Sequence, residues 1–175
     1  MAWRTYTTFH ACYRRRRGAH RRGAGGIAIW RSSVSTNRCF LLSPHKRLSA
    51  ASFQQARRHH GRWHRTGQQA CYGFEHPALA MLEREVITNG RCLMPLYLHE
   101  ARLPDTQSAP LDLRQVRAGQ EQAVGGRFFD NPPQLLAVSS SSVCAEGTIY
   151  LISPKHPDFE QIKWSCLRTV NHISP

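Results

Sequence analysis

After residue 74, apolar positions of this chain recur at helical spacing in three stretches and cluster into short runs in three others. Leu79, Leu82 and Val86 follow Pro77 and precede Asn89-Gly90, so a first-turn proline, an apolar stripe and a stop signal together predict a helix over 77–88. Phe159, Ile162, Cys166 and Val170 follow Pro157, with Asp158 and Glu160 in the first turn and Arg168 near the end, which predicts a second helix over 157–170. Leu111, Leu113, Val116, Ala123 and Val124 suggest a weaker third helix ending at Gly125-Gly126. Cys92–Leu98 reads as an edge strand because it contains Pro95, while Leu135–Val138 and Thr148–Ile152 read as strands flanking the Ser139–Ser142 run. The expected body, residues 75–175, is a small α+β unit of about three helices and two to three short strands.

Charge divides the chain at the same place. None of the 11 acids precedes Glu75, whereas residues 1–74 hold 14 Arg and one Lys. Leu, Ile, Val and Phe make up 10 of the first 74 residues and 26 of the last 101, and these shares fall on either side of the roughly 20% that separates disordered from globular composition. The expectation is a largely disordered, Arg-rich arm over 1–74 that precedes the body. No apolar run approaches the length of a membrane span, and no Gly-X-Y period or sustained heptad is present, which excludes collagen and coiled-coil architectures. Met1–Tyr13 lacks the continuous apolar stretch of a secretory signal, and six scattered cysteines suit reduced thiols better than a disulfide framework.

The motifs that carry chemistry are weak. Gly23-Ala24-Gly25-Gly26-Ile27-Ala28 matches a dinucleotide-binding pattern but lacks the preceding buried strand and the later acid, and Ala24 stands where a P-loop following Gly18 and Gly23 would need its lysine. His59, His60, His64 and Cys71 lie close together without paired ligand spacing and among four arginines, so no metal is expected. Cys144 with His156 and Asp158, or Cys92 with His99, supplies thiol-mechanism residue types without an activating context. Glu83 and Glu85, two apart on a helix, face different ways and form no carboxylate pair. On this reading the chain is not an enzyme and needs no cofactor.

What remains is the basic arm. Arg14, Arg15, Arg16, Arg17, Arg21, Arg22, Arg57, Arg58, Arg62 and Arg65, with Trp63 as a stacking surface, are the candidate nucleic-acid-binding residues. The expected partner is RNA or another polyanion, and the expected role that of a basic accessory protein in a ribonucleoprotein or organellar ribosome. Residues 1–47 resemble a mitochondrial targeting presequence: they are acid-free and rich in Arg, Ser and Thr, and they open with an apolar stripe of Ala2, Tyr6, Phe9 and Tyr13. Arg38, Phe40 and Ser43 fit the two-step processing pattern of such presequences, which implies a mitochondrial address, whereas the block Arg14–Arg17 fits a nuclear or nucleolar signal equally well. Two further readings stand beside this one: a small enzyme whose site one sequence cannot reveal, and a reading frame never selected for function, suggested by 21 Arg against three Lys.

Overall fold

Helix α1, Pro77–Thr88, starts and stops where its sequence signals place it. The imidazole Nδ1 of His76 accepts the Ala78 N–H at 3.1 Å, Pro77 occupies the first turn, and Asn89 closes the helix in the left-handed conformation at φ 49°. The face it buries is not the expected one. Leu79, Ala80 and Glu83 are buried, while Leu82, Val86 and Ile87 are 47, 56 and 65% exposed. The helix is apolar on more than one side, so periodicity alone did not determine which side meets the sheet.

The structure, a computed structural model, describes residues 38–89, 94–105 and 109–171, which belong to one unit, Val34–Pro175. Its centre is a seven-stranded sheet formed by β1 (Arg38–Ser43), β2 (Cys71–Phe74), β3 (Leu96–Arg102), β4 (Leu111–Asp112), β5 (Leu136–Ser140), β6 (Thr148–Ile152) and β7 (Lys163–Val170). The strand order is β4-β5-β6-β2-β1-β3-β7, with β4 and β5 parallel and every other pair antiparallel. A second helix, α2 (Glu121–Asp130), and two short 3₁₀ segments, Ala50–Arg58 and Pro157–Gln161, complete the described elements. A mixed, sheet-dominated fold therefore replaces the expected α+β unit of three helices and two to three strands.

Each departure has a local cause. Pro157 does open a turn, and His156 Nδ1 accepts the Asp158 N–H at 3.1 Å, but the turn is a 3₁₀ segment that ends at Gln161. From Lys163 the chain pairs with β3 over its whole length, a non-local partner that a helical reading of Ile162, Cys166 and Val170 cannot register. Leu96–Arg102 is flanked on both sides, by β1 and β7, and so is not the edge strand that Pro95 suggested. The pair Gly125-Gly126 lies inside α2 rather than ending a helix. A Cβ on Gly125 would collide with the backbone carbonyl of Trp63, and the Gly126 carbonyl accepts from Gln68 Nε2 at 2.9 Å, so these glycines let α2 approach closely. Residues before 75 supply β1, β2 and the buried Trp63, which extends the packed unit well upstream of the composition boundary.

Two large cores line the sheet, with a smaller cluster of Phe40, Leu98 and Val170 besides. On one face Cys39, Leu41, Cys71, Tyr150 and Ile152 pack with Phe159 and Ile162 and are covered by Leu48, Phe53 and Trp164. On the other, Trp63, Phe128, Phe129, Ala137, Ile149 and Leu151 pack together, with Tyr72 and Phe74 beside them. Burial pushes the Cys39 thiol up to about 12 and raises Cys71 as well, the latter also through the charge of Cys39. Both thiols stay neutral in the folded chain, whereas the unfolded chain ionises them from about pH 8.5. Their contribution to stability is therefore complete below that pH and declines as pH rises toward 12. Alkylation of the native protein at about pH 9 should spare Cys39 and Cys71 and label the exposed Cys166. Equal labelling rates would contradict this core.

Candidate active site

The site forms where a tight turn, the middle of β2, the buried face of α1 and the end of β5 converge. Residues 61–64 turn back on themselves, with the Gly61 N–H donating to the His64 carbonyl at 2.9 Å. A Cβ at Gly61 would come within 2.7 Å of the His64 ring, so a larger residue would force the turn open. This turn sends Trp63 and His64 inward and Arg62 outward. The Arg62 guanidinium donates to the Ser140 carbonyl at 3.0 Å, lies 3.7 Å from Glu121 and stands over the Trp63 ring at 5.2 Å. Strand β2 brings the Tyr72 hydroxyl to 2.7 Å from His64 Nδ1, and the Trp63 N–H donates to that oxygen at 3.4 Å. Desolvation pushes the Tyr72 phenol well above its ordinary range, so the hydroxyl keeps its proton.

Glu83 is the least expected member. It is 3% exposed, and its carboxylate accepts hydrogen bonds from the Ser141 hydroxyl at 2.5 Å, from the Ser142 N–H at 3.1 Å and from the Ser142 hydroxyl at 3.2 Å. The Ser141 oxygen in turn accepts the Val143 and Cys144 N–H groups, each at 3.1 Å. Among the described residues no cation pairs with Glu83, so neutral donors alone hold it. A carboxylate buried in this way is costly unless hydrogen-bonded, and here the Ser141 and Ser142 donors meet that demand. Consecutive residues connect the two halves of the site: Ser140 receives Arg62, and Ser141 and Ser142 receive Glu83. Replacing Ser141 by Ala leaves two N–H groups and one carboxylate oxygen short of a partner. The expected loss is about 1–3 kcal/mol of unfolding free energy, read by urea denaturation.

Most of the residues singled out for nucleic-acid binding cannot be placed relative to this site. Arg14, Arg15, Arg16, Arg17, Arg21 and Arg22 lie outside the described residues, as do the Gly23–Ala28 motif and the Ala2–Tyr13 stripe. Arg57 and Arg58 end the first 3₁₀ segment. Arg65 is exposed, and its N–H donates to Gln68 Oε1 at 2.7 Å. Trp63, expected to stack on bases, is 1% exposed and belongs to the core, so of the three whose side chains are described, Arg62, Trp63 and Arg65, it is Arg62 that presents its charged group to the site. The candidate zinc ligands diverge, since His64 engages Tyr72 whereas Cys71 packs in the core of the opposite face. Of the thiol candidates, His156 caps its own 3₁₀ segment and Cys144 lies 3.6 Å from Glu146.

Sequence reasoning missed Glu83, Tyr72 and Ser141. Glu83 and Glu85 do face different ways, with Glu85 half exposed beside Arg84. The informative signal was Glu83 alone, four residues after Leu79 on the side that faces the sheet.

Residues 28–169 match the model of the RES domain, and the chain belongs to that family. It is 31% identical over 118 residues to a protein described as Toxin Res from Pseudomonas putida, covering 59% of this chain and 77% of that protein. Family membership overturns the reading as an RNA-binding accessory protein of a ribonucleoprotein or organellar ribosome, and equally the reading as an unselected frame. It also replaces the mitochondrial and nuclear addresses. The relative is a bacterial toxin, the match begins inside the supposed presequence, and Arg38–Ser43, taken as a processing signal, is strand β1. The family match also conflicts with the expectation that the chain is not an enzyme.

Proposed function

We propose that this chain is a toxin-type enzyme that degrades NAD, as RES-domain toxins generally do. The observation that carries the reading is Glu83, a buried carboxylate held among the described residues by the hydroxyls of Ser141 and Ser142 and a backbone N–H, donors that directly follow Ser140, whose carbonyl receives Arg62. Breaking the bond between ribose C1 and the nicotinamide nitrogen leaves the electron pair on that nitrogen, so nicotinamide departs neutral. Positive charge builds on the ribose as it goes, and a fixed carboxylate stabilises that charge and orients the ribose hydroxyls. Water then adds at C1 and loses a proton, giving ADP-ribose. Arg62 is the cation suited to the pyrophosphate, since its planar guanidinium donates to two oxygens at once. Tyr72, fixed by His64, offers a protonated hydroxyl and a ring face beside the turn.

Incubating the full chain with NAD and measuring nicotinamide release tests the proposal directly. Release in step with NAD loss is expected, and an unchanged NAD pool with folded protein would overturn it.

A further inference from the structure

We propose a second ligand site in this chain, a cavity between β3, β7 and the loop after β1 that takes a nucleoside monophosphate. The cavity has a volume of about 410 Å³, within the range of small-molecule sites, and Lys46, Arg47, Leu48, His99, Trp164 and Cys166 line it. It is separate from the Glu83 site. Adjacent residues of a strand point to opposite faces, and α1, which carries Glu83, covers the Leu98 side of β3 through Met81, so His99 faces away from it. The proposal therefore does not depend on the NAD reading.

Three kinds of group converge in this cavity, and each matches a different part of the ligand. Lys46 and Arg47 are adjacent and exposed, and among the described residues neither has a carboxylate partner, although Arg38, Arg62, Arg102, Arg114 and Lys155 all do. Two unpaired cations at the mouth of a cavity suit a phosphate dianion. His99 is 1% exposed, and its Nε2 lies 2.9 Å from the His45 carbonyl. Desolvation lowers its basicity, so the ring is neutral, Nε2 carries the hydrogen and Nδ1 is left as an acceptor. That nitrogen has no hydrogen-bond partner among the described residues, and a ribose hydroxyl can donate to it where a bare phosphate dianion cannot. Trp164 is braced at 5.9 Å by Phe53 and at 6.0 Å by Phe159, so an indole already held in place lines the cavity for a base to stack on.

The test uses the full chain and AMP, followed by calorimetry and by the rate at which iodoacetamide modifies Cys166. The expected results are binding of AMP and slower modification of Cys166 but not of Cys144, with adenosine, ribose 5-phosphate and inorganic phosphate each binding more weakly. The double variant Lys46→Gln/Arg47→Gln changes only exposed side chains and should weaken AMP binding by about tenfold or more. The variant His99→Phe should weaken AMP but not inorganic phosphate. No binding of AMP at millimolar concentration would overturn the proposal. So would binding that survives the double variant, that leaves Cys166 unprotected, or that disappears in Arg62→Gln while the double variant retains it.

Discussion

Replacing Glu83 by Gln should reduce NAD breakdown by at least about 100-fold while the protein remains folded, because removing one preorganised electrostatic group of a site costs this much. The substitution preserves shape and removes charge. Gln can still accept the Ser141 hydroxyl and the Ser142 N–H, which hold the carboxylate at 2.5 and 3.1 Å, so the turn after β5 keeps most of its contacts. What disappears is the fixed negative charge that opposes the positive charge growing on the ribose. Nicotinamide release should therefore fall far more than thermal stability does. The comparison with Ser141→Ala is informative: that variant weakens the support of Glu83 and should lose stability along with activity. Glu83→Gln turning over NAD at an undiminished rate would remove Glu83 from the chemistry and with it the proposed mechanism.

The parts of this fold that could be read from the sequence are those determined within a few residues. The limits of α1 follow from Pro77, His76 and Asn89, all local, and β6 over Thr148–Ile152 is a β-branched and aromatic-rich run that is buried throughout. The parts that could not be read depend on distant partners. Segment 163–170 carries apolar groups at a spacing that suits a helix, yet β3 offers it a ladder along its length, and that ladder decides its form. Strand β1 lay in a segment whose charge argued for disorder, but Cys39, Phe40 and Leu41 are all buried once β2 and β3 flank them. The site was hidden for the same reason. Glu83 and Ser141 are 58 positions apart, as are Gln68 and Gly126, and only the folded sheet brings such pairs into contact. Composition described the average of residues 1–74 and passed over the apolar positions within it that matter most.

Trp63 illustrates that difference, and its truncation should be the most damaging single change to stability. Trp63→Ala is expected to lower unfolding free energy by about 3–5 kcal/mol, the range for large aromatic residues removed from a core. The ring is 1% exposed and packs in one cluster with Phe128, Phe129, Ile149 and Leu151, and its backbone lies against Gly125, so the void would open where α2 meets the sheet. Two neighbours in sequence belong to the site. Arg62 would lose the ring beneath its guanidinium, and the turn that carries both Arg62 and His64 would lose its buried anchor, so NAD turnover should fall together with the urea midpoint. Trp63→Phe separates volume from polarity. It keeps an aromatic ring and removes an indole N–H that finds no acceptor among the described residues, so its cost should be well below that of Ala. A stacking role on exposed nucleic acid would make the opposite demand, since neither change would then disturb folding. A Trp63→Ala protein with an unchanged urea midpoint would show that the residue is not in the core and that the turn carrying Arg62 is built differently.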